Sequence, residues 1–310
     1  MAKKVKQVHY DAKKHIKMTE SDRVMNAGFY LFITLFSIIC LIPFLLVLGS
    51  SFTAERALTQ NGYNIWPSEF SLDAYKLVFV SGDIPQAYLV TVGTTVVGTF
   101  LSMVFTCGAA YAMSVKNFKS RGALALFIYF TMLFNGGLVA NYLLTTKFLH
   151  LQNTILVLLL PSFCNAWNIL LMRNFFNGIP ASLAESAKID GANDITILIK
   201  IILPISLPGI ATIGLFYALT YWNEWYKCLL YIDSSHSQYY TLQYLIQQIL
   251  RQVNYAANQP AEAVGLSTLT LPTYAYRMAT IVVAIGPIIL LYPFLQKFFV
   301  QGLTVGSVKG

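Results

Sequence analysis

The chain has 310 residues, 56% of them hydrophobic and 11% charged, with a formal net charge of +8. A soluble globular protein typically carries about 25% charged residues, so this composition excludes that class and points to a chain embedded in a bilayer. Such a length supplies several crossings of a roughly 30 Å hydrocarbon core at about 20 apolar residues each, and it leaves no room for a separate large soluble domain.

Residues 1–26 hold seven Lys/Arg against three acids and form a basic N-terminal segment. This is not a secretory signal, because no small-residue cleavage site follows the first apolar run. The first span is predicted over Ala27–Gly49, with Pro43 tolerated inside a helix bundle. Residues 51–85 are polar and broken by Gly62, Pro67 and Pro85, with a short amphipathic helix near Leu72–Val80. The second span, Ala87–Val115, carries Gly93, Gly98 and Gly108, small residues that let membrane helices approach closely. The third, Gly122–Leu144, contains Phe134-Asn-Gly-Gly137, and the fourth, Thr154–Phe176, contains Pro161, Asn165 and Asn168. An orderly polar loop, 177–206, precedes the fifth span, Leu207–Leu230. A long polar segment then runs to Arg277, before the sixth span, Met278–Val300, and a tail, 301–310. The predicted fold is all-α, with one six-span membrane domain over residues 27–300.

Six spans put both termini on one side. With the termini cytoplasmic, the outer segments keep only Arg56, Lys76, Lys147, Lys227, Arg251 and Arg277, which leaves fifteen of the 21 Lys/Arg inside. That bias is the positive-inside pattern, and it accounts for the charge without nucleic acid. The four cysteines, Cys40, Cys107, Cys164 and Cys228, sit in apolar runs with no metal-like spacing, so they are read as small buried hydrophobes with no disulfide and no metal.

Residues 180–204 predict a helix–turn–helix on the cytoplasmic side. Pro180 suits a first helical turn, Ala181–Ile189 are good helix formers, Gly191 suits a left-handed stop, Asn193 suits a cap, and Pro204 ends the second helix. Ala184, Ala187 and Gly191 fall on one face, which predicts a helix able to sit deep in a partner's groove, with Glu185 and Asp190 offering charge to it.

The residues Glu185, Ser186, Ala187, Gly191, Ile201, Leu203 and Pro204 resemble, at their spacings, the signature loop of permease subunits in binding-protein-dependent ABC importers. Ser186 stands where the pattern has Ala. The resemblance implies the type I importer permease fold, with a coupling helix between spans four and five that docks on an ATP-hydrolysing subunit. The residues it assigns to that contact are Leu183, Ala184, Glu185, Ser186, Ala187, Asp190, Gly191 and Ala192. Trp222-Asn-Glu-Trp225 resembles an element of the carbohydrate permeases, in the subunit similar to the second maltose permease. The tail Gly302–Gly310 resembles that subunit's ending, which implies that Gly306 and Lys309 reach the ATPase dimer. The overall texture is similar to a Gram-positive branch importing complex oligosaccharides.

Sugars stack on aromatic rings and need fixed hydrogen-bond partners, and polar residues within spans often mark a pathway. Asn135, Asn165, Asn168, Tyr217, Trp222, Asn223 and Glu224 are the pathway candidates; each alone is also readable as an interhelical hydrogen bond or interfacial aromatic, and Glu224 as a solvated group at the outer mouth. The outer segment 231–277, with Tyr239, Tyr240, Tyr244, Arg251, Tyr255, Asn258 and Gln259, is the candidate contact for the binding protein. The four histidines are scattered, and no Gly-rich phosphate loop is present, so no catalytic residue is assigned. The resemblance implies ATP and Mg on two partner ATPase subunits, with no cofactor on this chain. It further implies a second, different permease, an extracellular solute-binding lipoprotein, a carbohydrate substrate, and residence in a bacterial plasma membrane. The rival readings are a peptide or polyamine cargo on the same fold, an integral-membrane enzyme, and a channel or transporter independent of ATP.

Overall fold

A computed structural model describes residues 20–80, 83–257 and 274–289. Helices dominate these residues, joined only by an isolated bridge between Thr53 and Phe70. Helix α1 (Glu20–Ser51) is followed by two short helices, α2 (Glu55–Asn61) and α3 (Asp73–Val80), and then by α4 (Asp83–Ser114). Helix α5 (Arg121–Leu133) leads into α6 (Gly137–Leu143) and a π-turn at Leu144–Phe148. Helix α7 (Leu156–Leu159) continues as a 3₁₀ turn to Ser162, and α8 (Ala166–Asn177) follows. Then come α9 (Ala181–Ile189), α10 (Asp194–Ile197), a π-turn, α11 (Leu203–Ile205), α12 (Leu207–Trp222) and α13 (Tyr226–Tyr231). Two apolar or amphipathic helices close the series, α14 (Leu242–Ala257) and α15 (Tyr274–Ile289).

Two of these helices, α1 and α4, are long and apolar enough to cross a membrane unbroken. Three further candidates are bent pairs: Arg121–Leu133 with Gly137–Phe148 at 112°, Leu156–Ser162 with Ala166–Asn177 at 51°, and Asp194–Ile205 with Leu207–Trp222 at 88°. The third and fourth predicted spans are each bent within their bounds, and the fifth stops at Trp222 and restarts at Tyr226; each break has a local cause. Gly137 adopts φ +83°, and the Asn135 carboxamide accepts its N–H at 2.8 Å, which turns the chain between α5 and α6. Asn165 caps α8 by accepting the Asn168 N–H at 3.1 Å, so the helix restarts there. At Asn223–Trp225 α12 stops, and α13 begins with the Glu224 carboxylate accepting the Lys227 N–H at 2.8 Å. The sixth predicted span is represented by α15, and its remainder lies outside the described residues.

Helix α4 is the axis of the bundle. Its face toward α12 carries two hydroxyls in helical register: Ser102 bonds the Tyr221 hydroxyl at 3.0 Å, and Thr106 bonds the Tyr217 hydroxyl at 2.8 Å. All four groups are buried, and their mutual satisfaction avoids the roughly 1–3 kcal/mol cost of a stranded polar atom. Of the three glycines expected to bring helices together, only Gly98 does so among the described residues, against the Tyr221 ring; Gly93 and Gly108 meet none of them within 4 Å. Cys107 and Cys228 are buried as expected, whereas Cys40 and Cys164 are exposed on the surface of the lone chain.

Apolar clusters string along α4. Ile84 and Ala87 join a cluster with Leu58, Val78, Trp222, Leu242 and Ala279. Cys107 and Ala110 join another with Phe176, Ala187, Ile197 and Ile202. The 24 residues from Ala87 to Ala110 rise about 35 Å, close to the thickness of a hydrocarbon core. The segments around α9 and α14 therefore sit at opposite ends of a membrane-length helix.

Candidate functional site: the α9 hairpin and the polar seam

The α9 hairpin is rigidly built. Pro180 stands at the N-cap and Asp190 at the C-cap. Gly191 then takes φ +82°, in the left-handed region that only glycine enters freely. Its missing side chain is needed for that dihedral and not for space, since nothing approaches within 4 Å of where a Cβ would lie. The turn closes with the Ala192 N–H donating to the Ala187 carbonyl at 2.9 Å. Asn193 then caps α10 by accepting the Thr196 N–H at 2.8 Å. An ion pair of 2.8 Å between Lys188 and Asp194 ties the two arms of the hairpin together.

The small residues of α9 face the other way from expectation. Ala187 is buried and Ala184 half-buried against Phe176, Ile197 and Ile202, so this face joins the hairpin to its own bundle. The outward face instead presents Leu183 (42% exposed) and Ile189 (87% exposed), with Glu185, Ser186 and Asp190 exposed alongside. A cavity of about 190 Å³ separates α9 from the end of α4, lined by Tyr111, Lys116, Glu185 and Lys188 among others.

The pathway candidates divide into three places. Tyr217 is buried, and its hydroxyl accepts the Asn165 N–H at 3.3 Å; Asn168 is buried nearby on α8. Asn135 is exposed in the α5–α6 turn, where its carboxamide also meets Asn141 at 3.5 Å. Trp222 is buried edge-on to Tyr88 at 6.3 Å, whereas Asn223 is exposed and donates to its own helix at Leu219, 2.9 Å away. Glu224 is not solvated: it is 10% exposed and paired with Lys227, itself 14% exposed. Gly306 and Lys309 lie outside the described residues.

In the outer segment, Tyr240 and Tyr244 are buried and packed edge-on at 4.7 Å, so they form core and not a free contact surface. Arg251 is exposed; Asn258 and Gln259 lie outside the described residues, and so does the side chain of Tyr255. Asn153 and Asp233 join the loops at this end reciprocally: the Asn153 amide donates to the Asp233 carboxylate at 2.6 Å, and the Asp233 N–H donates back at 2.9 Å. Hydrogen bonds from Ser235, His236 and Asn153 hold the Asp233 carboxyl well below the usual carboxylate range.

Sequence reasoning missed Ser102, Thr106 and Tyr221, which complete the polar seam, and Ser162, which completes the Glu224 pair; Lys227, noticed beside Glu224, was taken as a sign of solvent and is its ion-pair partner. The i,i+3 spacing of Glu224 and Lys227 was the available signal.

Comparison with known proteins places this geometry. Residues 102–305 match the family model described as binding-protein-dependent transport system inner membrane component. The polygalacturonan/rhamnogalacturonan transport system permease protein YtcP of Bacillus subtilis is 41% identical over 93% of this chain and 99% of its own length. The arabinooligosaccharides transport system permease protein AraQ of Halalkalibacterium halodurans is 28% identical over 88% of this chain and 92% of its own. Among solved structures, a bacterial ABC transporter involved in the import of the acidic polysaccharide alginate contains a chain that superposes with a TM-score of 0.80. That chain is 30% identical, over 91% of this chain and 99% of its own. With the α9 hairpin, the polar seam and these likenesses in view, the chain belongs to the inner-membrane-component family of binding-protein-dependent transport systems.

Proposed function

We propose that this chain is one of two permease subunits of an ATP-driven importer that passes a carbohydrate, an oligosaccharide, from an extracellular binding protein into the cytoplasm by alternating access. The observation that carries the reading is the α9 hairpin, a braced helix whose inward face joins the bundle and whose outward face offers Leu183 and Ile189. The family membership supports partner ATPase subunits, a second permease and a binding protein, and the names of the relatives support a carbohydrate cargo. The positive-inside bias and the roughly 35 Å of α4 between its end clusters support six spans with α9 and both termini on the cytoplasmic side.

In this reading, closure of the ATPase dimer moves α9 as a rigid body. Ala184 and Ala187 carry the displacement to Phe176, Ile197 and Ile202, and so to α8 and α12. The Lys188–Asp194 pair and the capped Asn193 turn keep the hairpin from absorbing the movement locally. Coupling then runs through a packed element shared by two discrete states of the bundle.

The test is ATP hydrolysis by the reconstituted complex, with and without loaded binding protein. Ile189→Asp removes an exposed aliphatic contact, and Gly191→Val forces a β-branched residue to φ +82°, at a cost of about 1–2 kcal/mol. Loss of stimulation in both variants, with the complex still assembled, supports the reading. Native stimulation in both overturns it.

A further inference from the structure

The end of the bundle opposite α9 contains a cavity of about 390 Å³ whose walls include Asn141, Thr145, Pro161, Tyr226, Lys227 and Tyr231. Its volume falls within the range of small-molecule sites, roughly 300–1,000 Å³. Lys227 is the charged group in that wall. Taking an ammonium and a carboxylate out of water costs several kcal/mol per ion, which an ordinary apolar pair at the same place would avoid. The structure nevertheless holds the Lys227–Glu224 pair at 14% and 10% exposure.

The pair is organised so that its two members are not equivalent. Both Glu224 carboxylate oxygens are committed to Lys227, one accepting its backbone N–H at 2.8 Å and the other its ammonium. The ammonium also donates to the Ser162 hydroxyl at 2.8 Å. An ammonium has three N–H donors, and among the described residues the third meets no acceptor. The anion is thus held behind the cation, and the cation lines the hollow with a donor to spare. Beside it, the Tyr226 ring is partly exposed, and the Asn141 amide and Thr145 hydroxyl belong to the facing wall. A positioned cation, a ring face and a few polar groups make a site for a sugar bearing a carboxylate: the carboxylate meets the ammonium by a charge-assisted hydrogen bond, and the sugar ring meets the aromatic face.

Resting on the importer reading above, we propose that this cavity receives a uronate unit of an acidic oligosaccharide, with its carboxylate on Lys227 Nζ and its ring on Tyr226. Glu224 and Ser162 are positioning residues that hold the ammonium. The relatives agree in chemistry, since one carries polygalacturonan or rhamnogalacturonan and the other imports an acidic polysaccharide.

The experiment measures uptake into proteoliposomes holding the whole complex and its binding protein. The probes are trigalacturonate and its methyl ester, which keeps the shape and removes the charge. Each probe is compared with itself across variants, so the binding protein's own selectivity cancels. A charged hydrogen bond is worth about 1.5–3 kcal/mol, so Lys227→Gln lowers kcat/KM for the acid about tenfold or more. Uptake of the ester stays within about twofold of native under the same argument, and Lys227→Arg restores most of the acid uptake. Because Lys227→Gln strands Glu224, the double variant Glu224→Gln/Lys227→Gln is measured beside it, and it too must lose the acid selectively. Equal loss for acid and ester, or unchanged acid uptake, overturns the site. A native complex that carries the ester and not the acid, or carries neither, also overturns the site alone, whereas native ATPase stimulation in the Ile189→Asp and Gly191→Val complexes overturns the importer reading on which it rests.

Discussion

Gly98 is where the close packing between α4 and α12 can be tested. A Cβ added there lies 2.6–2.8 Å from three carbons of the Tyr221 ring. Carbon atoms rest about 3.5–4.0 Å apart, so the ring must retreat by about 1 Å. It has little freedom to do so, being 1% exposed and bonded through its hydroxyl to Ser102 at 3.0 Å and to the Leu159 carbonyl at 3.1 Å. Overpacking of this kind costs about 1–3 kcal/mol, and displacing one hydrogen bond adds about 1 kcal/mol. Replacing a helical glycine by alanine returns about 1 kcal/mol. Gly98→Ala is therefore expected to destabilise by about 2 kcal/mol, or about 4–8 °C in Tm. The assay is thermal unfolding of the purified chain in detergent. Gly108→Ala is the control, since it sits on the same helix with nothing within 4 Å of its new methyl, and it should be neutral or stabilising. The cost of Gly98→Ala should fall by about 1 kcal/mol in a Tyr221→Leu background, because the two side chains are in contact. Equal melting of Gly98→Ala and Gly108→Ala would refute the reasoning.

Two further predictions concern the end of the bundle distant from α9. Glu55 caps α15 from 219 residues away, accepting the Tyr274 N–H at 2.9 Å and, by its other oxygen, the Ala275 N–H at 2.7 Å. Glu55→Ala should cost about 1–2 kcal/mol, read as a Tm lowered by several degrees; an unchanged Tm rules the cap out as a stabilising contact. The depressed Asp233 carboxyl contributes stability that is present above its ordinary value of 3.8 and lost as pH falls through the folded value. Acidification below pH 4 should therefore lower the Tm of the native chain more than that of Asp233→Asn, and parallel profiles would sink the argument.

Much of the hairpin was legible in the sequence because its signals are local. A glycine that must adopt positive φ, an asparagine cap and a run of helix formers each act within a few residues, and the described turn follows them at Ala181–Ile189, Gly191 and Asn193. The apolar helical character of the first two predicted spans was legible for the same reason, and the described helices Ser21–Ser51 and Asp83–Ser114 cover them. The bends in the third and fourth were not. Hydropathy averages over a window, and it cannot register that Asn135 or Asn165 will use its carboxamide on the backbone and break the helix there.

The sequence by itself determined the class of the protein and the local form of the 180–204 hairpin, because composition and short-range backbone preferences do not depend on distant contacts. Only the tertiary structure decided which way each residue faces. Ala184 and Ala187 turn inward because α8 and the π-turn lie behind them, and Tyr240 and Tyr244 become core because loops brought from far along the chain cover them. Glu224, also readable from the sequence as a solvated group at the outer mouth, is closed into a pair with Lys227, which Ser162, 65 residues away in the chain, completes. Such groupings arise from non-local packing, where burial makes the cost of an unpaired polar group large enough to select its partner.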